Sequence, residues 1–197
     1  MNHGIEQAKD RRLAVEIITK RFLLRDFIQE DEPAFLAYHA DPRSAEFCSS
    51  EEVTPDFTRD LLQRFMQWAA EVPRRNYQFA IVDRRNRELI GCAGLRQDSY
   101  AAGQAELGIE LAPQYWGRYA YAIEIGKALI DFGFRDLRLK EILGLSVSAN
   151  LRVSRLAERY GFQVIDTQPA SDWMRMRGWS QIEWQLTRES WEHLFSL

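Results

Sequence analysis

Two glutamates, Glu106 and Glu110, carry the clearest chemistry in this chain. They alternate with apolar residues in the segment Ala-Glu-Leu-Gly-Ile-Glu-Leu, residues 105–111. Successive side chains of a strand point to opposite faces, so both carboxylates are predicted on one face. A carboxylate beside a cleft can act as a general base, directly or through water. We therefore treat both as candidate catalytic residues; two solvent-exposed strand residues are the alternative interpretation.

The strand leads into a turn that Pro113 bounds, then a loop containing Gly117, and then a helix predicted over residues 119–134. This layout points backbone N–H groups and the positive end of a helix dipole at one spot. Such a spot favours a phosphate group. The segment therefore predicts a phosphate-binding joint, and an ordinary strand–turn–helix connection is the alternative.

Hydrophobic periodicity places the elements that must hold these residues. The order of the central elements, β-α-β-α-β, predicts at least one parallel strand pair inside a largely antiparallel sheet. Asp56 or Thr58 is a candidate N-cap for the second helix. We expect a single α/β domain over residues 1–197, with a flexible tail at 1–12. The predicted strands are 16–26, 76–83, 87–95, 105–111, 141–147, 161–166 and 180–186, and the predicted helices are 30–39, 54–70, 119–134, 149–160 and 189–195.

Composition excludes several classes of protein. A formal charge of −3 over 197 residues gives no basic excess of the kind that nucleic-acid binders carry. No apolar run reaches the length of a membrane span, and nothing in the sequence resembles a secretory signal, so none is expected. Cys48 and Cys92 are far apart, and no histidines show metal-ligand spacing, so neither a disulfide framework nor a metal site is expected. We expect a cytoplasmic protein with neither nucleic acid nor membrane as partner.

Residues 111–118 (Leu-Ala-Pro-Gln-Tyr-Trp-Gly-Arg), the Tyr-Ala-x-Glu motif at 121–124 and Leu-Ile-Asp-Phe-Gly-Phe at 129–134 follow one another. Together they resemble the acetyl-CoA motif of GNAT acyltransferases, and more narrowly the ribosomal-protein N-acetyltransferase (RimJ/RimL-like) branch. Further similar segments extend the resemblance over nearly the whole chain, in order. They are 19–25, 150–162, 174–178 and 186–191.

The resemblance implies the GNAT fold, a mixed and mostly antiparallel sheet of about seven strands with a splayed parallel pair, flanked by helices. It implies acetyl-CoA as cofactor and direct attack on the thioester by an amine, either a protein N-terminal α-amine or a small cationic amine. A backbone N–H near Leu111 is the implied oxyanion donor, and the protein would be a monomer or homodimer. The implied cofactor-binding residues are Leu111, Ala112, Trp116, Gly117, Arg118, Tyr119, Ala120, Tyr121, Ala122, Asn150 and Arg155.

The chain departs from the family pattern at two places. The loop has one extra residue, because Tyr119 and Ala120 stand between Gly117-Arg118 and the Tyr-Ala-x-Glu motif. Many GNAT enzymes have a tyrosine that acts as the general acid at the position where this chain has Ala157. The RimL-like branch often has a serine one position before Ser154, and Ser154 is the candidate general acid here. These departures leave open an alternative function, a catalytically impaired CoA-binding sensor or protein-interaction module.

Overall fold

The computed structural model describes residues 14–168 and 171–195, so the predicted tail at 1–12 lies outside the described residues. Within that part of the chain, eight strands form one sheet in the order β1-β2-β3-β4-β5-β6-β8-β7. Every neighbouring pair is antiparallel except β5 and β6. The strands are β1 (Ile17–Ile18), β2 (Phe22–Asp26), β3 (Tyr77–Asp83), β4 (Leu89–Arg96), β5 (Gln104–Leu111), β6 (Glu141–Val147), β7 (Gln163–Gln168) and β8 (Gln181–Thr187).

The single strand predicted over residues 16–26 is wrong, because the chain reverses in its middle. β1 and β2 pair antiparallel across a tight turn. The Thr19 hydroxyl accepts a hydrogen bond from the Phe22 N–H at 2.9 Å, and the Thr19 N–H donates to the Phe22 carbonyl. The side chain of Thr19 thus stabilises the turn that the apolar pattern concealed, and the extra strand raises the sheet from about seven strands to eight.

The helices follow the predicted periodicity with two additions that sequence patterns missed, a 3₁₀ turn at Pro42–Phe47 and a short helix at Asp172–Arg175. The N-cap predicted for the second helix is also wrong. Thr54 caps it, and its hydroxyl accepts from the Phe57 N–H at 3.3 Å. The helices are α1 (Glu32–His39), α2 (Pro55–Ala70), α3 (Tyr119–Arg135), α4 (Leu151–Arg159), α5 (Asp172–Arg175) and α6 (Arg188–Phe195).

The two faces of the sheet carry different helices. The apolar side chains of β5 pack toward α3, in a cluster with Ile125 and Leu129. Residues of the opposite face, such as Ala80 and Cys92, pack with α1 and α2. Glu106 and Glu110 therefore lie on the face of α1 and α2, as the alternation of β5 predicted.

The Tyr-Ala-x-Glu motif anchors α3 to the sheet. Glu124 accepts hydrogen bonds from the Arg21 backbone N–H at 2.7 Å and from the Arg21 guanidinium at 2.5 Å. This bidentate contact joins α3 to the first residues before β2, which are distant in sequence. It fixes the direction of the helix whose N-terminus faces the site.

The parallel pair is splayed, as the resemblance implied. β5 and β6 pair only at Gln104–Glu106 with 141–143. Beyond these residues β5 continues beside β4 as far as Leu111, while β6 continues beside β8 as far as Val147. The strands therefore part at Glu106 and leave a wedge-shaped gap between them.

Candidate active site

A cleft of about 1140 Å³ extends from the gap between β5 and β6 to the start of α3. Its walls come from β5, the loop before α3, the first turns of α3, α4 and the segment after α1. Of the predicted catalytic residues, Glu110 lines it. Of the predicted cofactor-binding residues, the cleft is lined by Leu111, Trp116, Gly117, Arg118, Tyr119, Ala122, Asn150 and Arg155.

The loop before α3 leaves backbone donors free. After a 3₁₀ turn at Pro113–Tyr115, Gly117 adopts a φ of +83°, and α3 begins at Tyr119 with no side-chain cap. The N–H groups of Gly117, Tyr119 and Ala120 find no acceptor within the described residues. Free donors at a helix N-terminus form an anion site. The extra residue is accommodated because the helix simply starts at Tyr119.

Four arginines line the same end of the cleft. Arg118 lies over the rings of Tyr115 and Tyr121, and Arg152 stacks on Trp116 at 4.2 Å while pairing with Glu46 at 3.0 Å. The remaining two, one turn apart on α4, are exposed and form no side-chain ion pair or hydrogen bond within residues 14–168 and 171–195. They are Arg155, which was predicted, and Arg159, which was missed although its i, i+4 spacing from Arg155 was a usable signal.

Three of the predicted cofactor-binding residues do not line the cleft. Ala112 is fully buried in the core beside α1 and α2. Ala120 is exposed in the first turn of α3. The ring of Tyr121 packs edge-on against Phe22, at 4.9 Å between centroids. The backbone N–H of Ala120 is nevertheless one of the free donors of the loop.

The free edge of β5 presents backbone groups to the gap. The Ala112 N–H donates to Ile90 of β4, so by the alternation of an antiparallel ladder the groups of Ile109 and Leu111 point away from β4. The indole N–H of Trp116 donates to the Leu111 carbonyl at 2.7 Å. The Leu111 N–H thus faces the gap, which is the orientation that its predicted role as oxyanion donor requires.

Glu110 faces the cleft and contacts the imidazole of His39. The Glu110 Oε1 lies 3.4 Å from the His39 Nε2, and 44% of the Glu110 side chain remains exposed. Burial by the surrounding protein raises the pKa of Glu110, and His39 acts in the opposite direction. Tyr38, Cys48 and Cys92 also interact electrostatically with this carboxylate.

His39 was missed as a site residue because the sequence shows only a histidine at a helix end. Its Nδ1 lies 2.8 Å from the Phe35 carbonyl, which can only accept, so Nδ1 carries a proton. The Nε2 that remains is the atom that faces Glu110. The ring is clamped between Phe35 and Tyr38, at 4.3 Å from each ring centroid.

Glu106 lies in different surroundings. Its carboxylate pairs with the Arg96 guanidinium and accepts from the Tyr100 hydroxyl at 3.0 Å. Burial and the neighbouring Glu106 raise the pKa of Tyr100 above its ordinary value. Glu106 does not line the cleft. It lines a second, adjoining cavity of about 190 Å³ where β5 and β6 part, which we call the apex cavity.

The start of α4 is built by Asn150, whose Oδ1 accepts from the Val153 N–H at 3.3 Å, as a helix cap should. The Ser154 hydroxyl donates to the Asn150 carbonyl at 3.4 Å and does not line the cleft. Ala157 lines the apex cavity. Tyr160 is buried, as expected, and donates to α3 carbonyls. The role of Ser154 as an acid stays a prediction.

Neither cysteine is an activated nucleophile. Burial raises the pKa of Cys48 to about 11 and that of Cys92 to about 12. Both are therefore thiols at neutral pH, and a thiol is a poor nucleophile compared with its thiolate. Cys92 is the buried small residue that its strand position predicted.

Comparison with known proteins identifies the family. Residues 21–163 match the model of the acetyltransferase (GNAT) domain. The chain therefore belongs to the GNAT acetyltransferase family, and it is an acyltransferase. An uncharacterized N-acetyltransferase, p20 of Bacillus licheniformis, is 29% identical over 152 residues, which are 75% of this chain and 82% of that relative.

Solved structures share the fold. The ribosomal-protein-S5-alanine acetyltransferase of Vibrio fischeri matches with a TM-score of 0.70 and 16% identity, over 90% of this chain and 98% of that one. The spermidine N-acetyltransferase of Vibrio cholerae, in complex with CoA and spermine, matches with a TM-score of 0.72 and 17% identity, over 87% of this chain and 98% of that one. Among the described residues, no helix is both long and apolar enough to cross a bilayer.

Proposed function

We propose that this protein transfers the acetyl group of acetyl-CoA to a primary amine by direct attack on the thioester. The observation that carries the proposal is that one cleft joins an anion site at Gly117–Ala120 to a carboxylate at Glu110. The splayed strands between them offer an extended slot. A cofactor that carries a pyrophosphate at one end and a thioester at the other fits this arrangement.

The anion end would hold the phosphates of the cofactor. The free N–H groups of Gly117, Tyr119 and Ala120 provide neutral donors, and the exposed Arg155 and Arg159 provide charge. The free edge of β5 provides donors and acceptors for the amide groups of the pantetheine arm. This set of donors matches a ligand with phosphates followed by amides.

Glu110 would accept the proton that the amine loses. Bound acetyl-CoA supplies an activated acyl carbon and a thiolate leaving group. A neutral amine would form the nitrogen–carbon bond as the carbon–sulfur bond breaks, its proton would pass to Glu110, and coenzyme A would leave as the thiolate. The Leu111 N–H would stabilise the developing oxyanion. Alignment of amine and thioester in one cleft contributes roughly 7–11 kcal/mol in favourable cases.

The acceptor we infer is a cationic amine, either a protein N-terminal α-amine or a small polyamine. Glu110 is the carboxylate that faces the cleft beside the segment after α1, and it favours a positively charged neighbour. An α-amine has a pKa of about 7.7–8.0, so a neutral fraction is available without assistance, whereas a lysine-type amine near 10.4 depends more on the base.

The test is an assay of purified protein with acetyl-CoA against N-terminal peptides, spermidine, spermine and free amino acids. We expect thiol release and a mass increase of one acetyl group with at least one class of amine. Calorimetry with acetyl-CoA accompanies the assay. Binding without transfer would favour the sensor alternative, and absence of both binding and transfer would overturn the proposal.

The anion site is tested by Gly117→Ala. Gly117 has a φ of +83° with nothing within 4 Å of an added Cβ, so the change acts through backbone strain rather than a clash. If the loop must take up a strain of about 1–3 kcal/mol to bind the cofactor, acetyl-CoA binding should be weaker by roughly fivefold to 150-fold. Gly103→Ala is the matched control, because its φ is +88° in a turn away from the cleft. Equal effects on acetyl-CoA affinity would contradict the assignment.

A further inference from the structure

The apex cavity is an extension of the cleft rather than an isolated void. Both are lined by Ile109 of β5 and by Val153 and Leu156 of α4. The cavity occupies the point where β5 and β6 part, on the side of Glu106, while the anion site lies beyond the other end of β5. A ligand lying along β5 therefore has one end at the loop and the other directed at this cavity.

The direction of the ligand follows from the proposed function, on which this inference rests. Phosphates bound at Gly117–Ala120 lie past Leu111, the last residue of β5. The opposite, thioester end must then lie back along the strand, near Ile109 and Glu110. The acyl group is attached to the far side of the sulfur. It is therefore the part of the ligand that reaches the apex cavity.

The walls of the cavity suit a hydrocarbon. Leu107, Leu145, Leu156 and Phe162 contribute apolar surface. The charged pair at one wall, Arg96 and Glu106, is already satisfied, since the carboxylate takes both the guanidinium and the Tyr100 hydroxyl. The cavity therefore offers no free cation to a carboxylated acyl chain.

We propose that the apex cavity receives the tail of an acyl group longer than acetyl, so that the enzyme also transfers neutral short chains such as propionyl and butyryl. A volume of about 190 Å³ exceeds the roughly 150 Å³ of an engineered apolar cavity that holds benzene. The bonds formed and broken are those of acetyl transfer, with coenzyme A thiolate as the leaving group. A succinyl chain is disfavoured because its carboxylate would lie beside the Glu106 carboxylate and compete with it for Arg96.

The first experiment compares acetyl-, propionyl-, butyryl- and succinyl-CoA with the purified protein, by kcat/KM and by calorimetric Kd. We expect propionyl- and butyryl-CoA to be turned over within about tenfold of acetyl-CoA, and to bind up to about fourfold tighter for each methylene buried. Succinyl-CoA is expected to be the poorest substrate. Turnover and binding confined to acetyl-CoA would overturn the inference while leaving acetyl transfer intact.

The second experiment narrows the cavity. An added Cβ at Gly144, on β6, meets only the Trp184 Cβ at 3.8 Å, so Gly144→Ala fits the fold while taking up space. Ala157→Leu fills more of the cavity volume. Its matched control is Ala101→Leu, in an exposed turn. We expect both narrowing variants to lower butyryl-CoA kcat/KM by about tenfold or more relative to acetyl-CoA.

The conclusion depends on the ratio of kcat/KM with butyryl-CoA to kcat/KM with acetyl-CoA, because a folding defect lowers both values together. An unchanged ratio in Gly144→Ala and Ala157→Leu would overturn the inference, as would an equal change in Ala101→Leu. If wild-type protein neither binds nor turns over any acyl-CoA, the proposed function itself has failed, and that outcome is distinct from acetyl-only activity.

Discussion

The two ends of β5 present the same side chain on the same face of the sheet in contrasting surroundings. At the apex end, Glu106 is paired with Arg96 and hydrogen-bonded by Tyr100. At the cleft end, Glu110 has His39 at 3.4 Å and keeps nearly half of its side chain open to the cleft. One carboxylate is committed to the fold, and the other is available to a ligand.

This contrast teaches that strand alternation selects a face but not a role. A general base needs a carboxylate that can accept a proton from a ligand, and both oxygens of Glu106 are already occupied. Burial raises the pKa of Glu110, which makes it a stronger proton acceptor once ionised. We accordingly expect substitutions at the cleft end to affect activity and those at the apex end to affect stability.

The largest expected effect separates the two glutamates directly. Glu110→Gln removes the proton acceptor and should lower kcat/KM for acetyl transfer by about 10²–10⁴-fold, the usual contribution of a general base. Glu106→Gln is the matched change four residues earlier and should cause a much smaller loss. Steady-state kinetics with acetyl-CoA and the amine found in the acceptor assay provide the measurement. Equal losses of kcat/KM in the two variants would contradict the different roles of the two glutamates.

The next effect concerns stability at the apex end. Arg96→Met leaves the Glu106 carboxylate without its cation, and hydrogen bonds to charged groups contribute about 1.5–3 kcal/mol. We expect a loss of that size in the free energy of unfolding, measured by denaturant titration. The double variant Arg96→Met/Glu106→Gln should recover part of the loss, because no unpaired charge remains. The pairing would be contradicted if the double variant lost more free energy of unfolding than the two single variants lose in sum.

The smallest expected effect concerns the pH dependence of activity at the cleft end. Glu110 must be ionised to accept a proton, so activity should rise with pH through its pKa. His39 acts to lower that pKa, and its removal should raise it. His39→Gln should therefore move the acidic limb of the kcat/KM profile to higher pH, with a loss of activity that is confined to the limb and disappears above it. A uniform loss at all pH values would indicate a structural role alone.

The loop between β5 and α3 could be predicted from the sequence because its determinants are local. Pro113, Gly117 and the apolar period of α3 lie within one short segment, and backbone preferences act over that range. The structure places the loop donors as expected and starts α3 at Tyr119, so the extra residue costs no donor. The hairpin at Thr19 was missed for the opposite reason, since one side-chain hydrogen bond inside an apolar run leaves no periodic signal.

The site contained more than the sequence indicated. Arg159 lines the cleft, and His39 contacts Glu110. Neither residue belongs to a recognisable motif. Ser154 was chosen by its offset in the chain. Its hydroxyl donates to the Asn150 carbonyl, and its role as an acid stays a prediction. A shift of one position rotates a helical side chain by about 100°, so motif offsets locate a helix more reliably than they locate a hydroxyl.

By itself, the sequence determined the strand that carries both carboxylates, the helix that follows it and the loop between them, because hydrophobic period and turn residues act over neighbouring positions. The tertiary structure alone decided which carboxylate is available and what space lies beside it. Arg96 reaches Glu106 from the adjacent strand, His39 reaches Glu110 from a helix across the sheet, and the apex cavity exists because β5 and β6 part. Each of these depends on contacts between segments far apart in the chain, which no local pattern encodes.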